Sequence, residues 1–148
     1  MYKHILVPTD GSRLAEKGVK SGVRLAKALS ARITGVFVIA PYMPPIYGDA
    51  AVYIPGIGRQ DYEKLMKKEA RKALEFIERE AKTAGVRCVT QTVTESQPWK
   101  GILRAARLRK CDVIAMASHG RGGLGALLLG SETSHVLTHS KIPVLVAR

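Results

Sequence analysis

Apolar positions along this chain fall into two rhythms. Short, nearly continuous apolar runs occupy residues 3–8 (KHILVP), 33–39 (ITGVFVI), 111–117 (CDVIAMA) and 143–147 (PVLVA). Runs of this length, without alternation and bounded by turn residues, suit strands covered on both faces. Residues 86–94 read as a further strand. Between the runs the period lengthens. Ser12 can cap a helix to about Leu29, whose apolar face is Leu14, Ala15, Val19, Gly22, Val23, Leu25 and Ala26. Over residues 62–84, Leu65, Met66, Ala70, Ala73, Leu74, Ile77 and Ala81 mark a long amphipathic helix that Gly85 stops. Pro98 opens a third helix to about Arg109, and Ser131 a fourth to about His139. The order βαβαβαβαβ predicts an α/β fold: one doubly wound domain over residues 1–148 with a five-stranded, mostly parallel sheet and helices on both faces.

One segment fits neither rhythm. Residues 40–60 (APYMPPIYGDAAVYIPGIGRQ) are too long for a routine connection and suggest a lid or a disordered loop. Composition adds little, since 46% apolar and 24% charged residues is the ordinary globular balance. No apolar run approaches the roughly 20 residues of a membrane span, and the N-terminus lacks the apolar stretch of a secretory signal, so a cytoplasmic protein without membrane contact is expected. Cys88 and Cys111 have no metal-ligand spacing and read as buried free thiols on separate strands. The formal net charge of +12 is the one departure from average. Nucleic acid, anionic nucleotides and plain solubility all compete to explain it.

The chemistry concentrates in residues 118–131, SHGRGGLGALLLGS. Gly120, Gly122 and Gly125 match a dinucleotide fingerprint, but they follow the fourth strand rather than the first, and residues 138–141 lack the acid that would hold a ribose. Residues 125–131 mimic a Walker loop with Ser131 where the phosphate-gripping lysine belongs. Neither NAD nor a P-loop reading holds. What remains is a glycine loop leaving a strand's carboxyl end and Gly130-Ser131 opening a helix whose first amides lack internal partners. Such a start attracts anions, each amide-to-phosphate bond contributing about 1.5–3 kcal/mol.

VPTDGS at residues 7–12, MASHGRGG at 116–123, GS at 130–131 and the terminal PVLVAR together resemble the universal stress protein family over essentially the whole chain. In that family's ATP-binding branch the signature is Gly, two residues, Gly, nine residues, then Gly with Ser or Thr. Gly120, Gly130 and Ser131 fit, while Ala117 stands where the first glycine belongs. The resemblance implies a Rossmann-like sheet of the adenine nucleotide alpha hydrolase type, in the order 3-2-1-4-5. Its ligand crevice lies between strands one and four, beyond their carboxyl ends. It further implies that Pro8, Thr9 and Asp10 line the adenosine side, with Asp10 near the ribose and Val38 against adenine. Met116, Ala117, Ser118, His119 and Gly120 would wrap ribose and α-phosphate. Gly130, Ser131 and Thr133 would hold the outer phosphates, with Mg2+ or Mn2+ as a companion ion, and Arg121 and His119 would be charge partners. The implied protein is a homodimer joined through its last strand, binding ATP or AMP and acting in regulation of a stress response. No activated nucleophile or general base is evident, so the expected activity is at most a slow ATPase.

Plainer readings compete with each of these. Asp10 in TDGS suits any strand-to-helix turn. His135 and His139 lie four apart without a third ligand and read as a surface pair. Trp99 reads as an anchoring aromatic. Arg13, Lys17, Lys20, Arg24 and Lys27 form one basic stripe, and Lys100, Arg104 and Arg107 another. Right-handed crossovers put the two on opposite faces of the sheet, and no aromatic residue interleaves with either, so nucleic-acid binding is not expected. The alternatives are a dimeric scaffold that has lost ATP binding through Ala117 and works through protein partners, and an electrostatic nucleic-acid binder.

Overall fold

Three helices of this chain end in the same way, and that ending sets where the strands begin. A computed structural model describes residues 1–44, 57–120 and 129–148. In it α1 (Arg13–Leu29), α2 (Arg59–Ala84) and α3 (Pro98–Leu108) are each followed by a residue of positive φ, respectively Ser30, Gly85 and Lys110. The amide after that residue then reaches back five positions: Ala31 to Ala26, Val86 to Ala81 and Cys111 to Ala106, each bond 2.9 Å. This is the Schellman pattern, which satisfies carbonyls the helix leaves open. Val86 and Cys111 are thereby spent on closing helices. The third and fourth strands therefore start later than their apolar runs, as β3 (Cys88–Thr94) and β4 (Val113–Ala117).

With β1 (His4–Pro8), β2 (Arg32–Ile39) and β5 (Val144–Ala147), these strands form one sheet in the order β3-β2-β1-β4-β5. All four pairings are parallel. The last helix is α4 (Ser131–His139). Alternation along the strands divides the core in two. Ile5, Val7, Ile33, Phe37, Val113 and Ala115 pack against Val19, Val23 and Ala26 of α1 and Ala70, Leu74 and Ile77 of α2. Leu6, Val36, Ile114 and Met116 face the other way, onto Ile102, Ala105 and Ala106 of α3 and Val136 of α4. α1 and α3 thus lie on opposite faces, as their crossovers require. Two residues assigned to apolar helix faces are in fact exposed, Leu14 at 41% and Leu65 at 45%. Each lies in the first two turns of its helix.

The seam between β1 and β4 decides where a site can form. At its lower end it is clasped: the Asp112 carboxylate accepts the Lys3 and His4 amides at 2.8 and 3.1 Å, and the Asp112 amide donates to the His4 carbonyl at 2.9 Å. The His4 ring, buried and 2.8 Å from the Thr34 hydroxyl, is held below its ordinary pKa of 6.5, first by desolvation and then by Arg32. Above the clasp the strands pair only at Ile5 with Val113 and Leu6 with Ile114. Gly18 of α1 lies against the backbone of Met116 and Ala117, where a Cβ would collide with the Ala117 amide nitrogen. Cys111 is buried, Cys88 is half-buried, and both are free; burial pushes each thiol up to about 11. No helix among the described residues is long and apolar enough to cross a membrane. Of the expected lid, residues 45–56 lie outside the described residues, as does Arg121.

Candidate functional site

Beyond Leu6 and Ile114 each strand turns to its outer neighbour. The Thr9 amide donates to the Val36 carbonyl of β2 at 3.0 Å, and the Ser118 amide to the Ala147 carbonyl of β5 at 2.8 Å. The strands consequently splay at their carboxyl ends, and a cavity of about 300 Å³ opens there. Its position is the topological switch point at which open α/β sheets hold ligands.

The cavity has two chemically distinct ends. Pro8 of β1, Val36 and Val38 of β2, Pro98 and Ile102 of α3 and Met116 of β4 supply apolar surface. Gly101 explains how α3 comes so close, because a Cβ there would stand 2.8 and 2.9 Å from the two methyls of Val38. At the other end lie Thr9, Asp10, His119 and Gly120, with Gly130, Ser131, Glu132 and Thr133 at the start of α4; Ala15 and Ala117 complete the wall.

The turn after β1 is built by its own side chains. Asp10 Oδ1 accepts the Ser12 amide at 2.9 Å, Thr9 Oγ1 accepts the Gly11 amide at 3.1 Å, and Ser12 Oγ caps α1 by accepting the Ala15 amide at 3.1 Å. Gly11 takes a φ of 79°, the left-handed conformation such a turn favours glycine for. The second oxygen of Asp10 lies against Gly120, where any side chain would strike it. Two segments more than a hundred residues apart are thus in contact through a carboxylate and a missing Cβ.

At the start of α4 the polar groups divide into spent and open ones. The Gly130 amide, expected to be unpaired, donates to the Ser118 carbonyl at 2.8 Å. This bond folds the chain back beside β4, and a Cβ at Gly130 would crowd the Ser118 oxygen and His119 Cα at 3.3 Å. The Thr133 hydroxyl is likewise engaged, donating to the Ala117 carbonyl at 3.0 Å. Glu132 Oε2 accepts the Trp99 amide at 2.8 Å, joining α4 to the first turn of α3. Among the described residues, the amides of Ser131, Glu132 and Thr133 make no hydrogen bond, and no side chain caps the helix. Three donors at the positive end of the helix dipole therefore remain for an anion. His119 Nδ1 is 3.0 Å from Ser118 Oγ, while its Nε2 is buried with no partner among the described residues. Ser118 lies behind the wall rather than in it, with its amide, carbonyl and hydroxyl all engaged.

The expected residues Pro8, Thr9, Asp10, Val38, Met116, Ala117, His119, Gly120, Gly130, Ser131 and Thr133 therefore line one cavity. Sequence reasoning missed Ala15, Val36, Pro98, Ile102 and Glu132. Two of these had a signal: Val36 shares a strand face with Val38, and Pro98 opens a helix that must start at the strands' carboxyl ends. No cluster of three or more metal-ligating side chains occurs among the described residues.

The family model for universal stress proteins matches residues 1–148. The universal stress protein MJ0531 of Methanocaldococcus jannaschii is 31% identical over 149 residues, covering 100% of this chain and 83% of the relative. Protein MJ0577 of the same organism, in a structure used to assign its biochemical function, superimposes with a TM-score of 0.74 at 28% identity, over 99% of this chain and 96% of the other. A universal stress protein from Archaeoglobus fulgidus, solved in complex with dAMP, gives 0.64 at 20% identity, over 99% and 98%. A sheet of this order, split at this seam, with sequence kinship running from the first residue to the last, leaves one conclusion: the chain belongs to the universal stress protein family.

Proposed function

We propose that the protein binds an adenine nucleotide, ATP or AMP, in the crevice between β1 and β4, and serves a regulatory role in a stress response. One observation carries this reading: a single cavity joins an apolar end to an end holding three unbonded helix amides. Adenine suits the surface of Val38, Ile102 and Met116. Asp10, whose Oδ1 already holds the turn, faces the ribose. The phosphates meet the Ser131, Glu132 and Thr133 amides, each bond contributing about 1.5–3 kcal/mol because the acceptor is charged, with about 0.3–1 kcal/mol more from the helix dipole. Gly130 and the Thr133 hydroxyl act indirectly, by fixing the backbone of Ser118 and Ala117. Mg2+ or Mn2+ would be carried chiefly by the phosphates. The dAMP complex of the similarly folded Archaeoglobus protein supports the ligand class. The hydroxyl beside His119, that of Ser118, lies behind the cavity wall rather than in it, so we read the function as a response to nucleotide rather than rapid turnover.

Calorimetry with Mg-ATP and with AMP, alongside mass spectrometry of the denatured protein, tests the reading. Saturable heat and released adenine nucleotide are expected. An empty preparation that also gives no heat would refute it. A second reading, a scaffold acting through protein partners, draws on Ala117, which puts a methyl in the cavity wall where the family's first glycine stands. Ala117→Gly separates the two: affinity already present in the wild type supports nucleotide binding, and affinity gained only in the variant supports the scaffold.

A further inference from the structure

On the outer side of α3 a second cavity of about 430 Å³ runs between that helix and the segment from α4 to β5. Five cations line it, Lys100, Arg104, Arg107, Lys110 and Lys141, and among the described residues no carboxylate does. Arg104 is partly engaged, 3.5 Å from Glu95 and donating to the Thr94 carbonyl. Arg107, Lys110 and Lys141 are exposed and form no ion pair with a described residue. At the α4 end of the groove the Trp99 indole stacks on His139, with ring centres 4.5 Å apart and planes at 25°, and on His135 at 5.6 Å and 22°. Lys100 Nζ stands 5.4 Å from the indole centre. Both histidines are exposed. The pair read from sequence as plain surface is therefore one side of an aromatic stack, and the basic stripe of α3 does have aromatics beside it. Trp99 is on α3 itself, and the two histidines come from α4, more than thirty residues further along the chain than Trp99.

We propose that this groove binds single-stranded nucleic acid, with phosphates along the cations and a base added to the Trp99–His139 stack. From Lys100 to Lys110 the helix rise gives about 15 Å, the length of about four stacked nucleotides at about 3.4 Å each. Cations tracking a backbone beside a stacking platform are the two components that sequence-tolerant single-strand binding requires. Only one face of the protein is needed, so the separation of the two basic stripes is no obstacle. An acidic peptide would use the cations but leave the stack without a partner. The site lies outside the crevice between β1 and β4 and does not depend on what that crevice holds.

Trp99 is the only tryptophan, so its emission reports on the groove directly. The full chain, without added nucleotide, is titrated with a uridine 12-mer and its deoxythymidine counterpart. Saturable quenching is expected for both. The logarithm of affinity should fall against the logarithm of salt concentration with a slope of about −2 to −3, as three or four phosphate contacts predict for single strands. The exposed double variant Arg107→Glu/Lys110→Glu should lose at least tenfold in affinity, and Lys17→Glu/Arg24→Glu on α1 less than threefold, with both variants checked for folding by circular dichroism. Absence of saturable quenching, equal losses in the two variants, or equal quenching by a polyphosphate of the same charge would each overturn the proposal.

Discussion

Replacing Gly18 by alanine tests how α1 and β4 are held together beside the crevice. An added Cβ would strike the Ala117 amide nitrogen and stand 2.7 Å from the Met116 carbonyl carbon and 3.1 Å from its Cα. All three are backbone atoms of β4, which at these residues is paired with β5. None can rotate away, so the helix must lift by about 1 Å to reach ordinary contact near 3.5 Å, loosening Val19 and Val23 with it. Overpacking of this kind costs about 3 kcal/mol, the upper part of its usual range. Alanine's better helix propensity offsets about 1 kcal/mol of that. The net loss of about 2 kcal/mol lowers Tm by about 4–8 °C for a chain of this size. Gly22 provides the contrast, since its nearest neighbour is a Val7 methyl at 2.7 Å, a side-chain atom able to shift. Gly22→Ala should therefore cost clearly less, near 1 kcal/mol. Urea unfolding at unchanged m-value measures both. A Gly18→Ala protein as stable as the wild type, or one more stable than Gly22→Ala, would show that the close approach of α1 is not what the structure depends on.

Three further outcomes are expected. Gly120→Ala should fold with wild-type stability to within about 1 kcal/mol yet weaken nucleotide binding at least tenfold in calorimetry, because the new methyl displaces the Asp10 carboxylate; unchanged affinity would remove Asp10 from the site. The lowered pKa of His4 means the unfolded chain takes up a proton that the folded chain resists. Its contribution to stability is therefore complete above 6.5 and declines as pH falls below that value; denaturation series between pH 8 and pH 5 should show this slope, and His4→Gln should flatten it. The edge strand β5, with Leu145 41% exposed, is proposed to pair with a second copy. Light scattering should give a dimer at micromolar concentration and a monomer for Leu145→Lys, and a monomeric wild type would count against the pairing.

The pattern of apolar residues made the element order legible because β1, β2 and β4 are buried on both faces and the long helices each carry one apolar stripe. The strand order was legible through family resemblance, and the cavity followed from it. What escaped was whatever depends on two distant segments touching. Gly101 looks like any helical glycine until Val38 is set beside it. The Gly130 amide looks unpaired until Ser118 folds over it. Trp99 and His139 stand forty residues apart in the chain, so their stacking had no local signature. The ends of α1 and α3 were expected near Leu29 and Arg109, but the left-handed residues that close them were hidden, since neither Ser30 nor Lys110 is the glycine that usually announces one.

The splaying of β1 from β4 has a thermodynamic meaning. At the point of separation the Thr9 and Ser118 amides are already bonded to β2 and β5, so the gap between the strands leaves neither donor stranded. The opening belongs to the ground state of the sheet. A guest entering it need not break a ladder first, so its binding carries only the ordinary costs of association and none for parting strands.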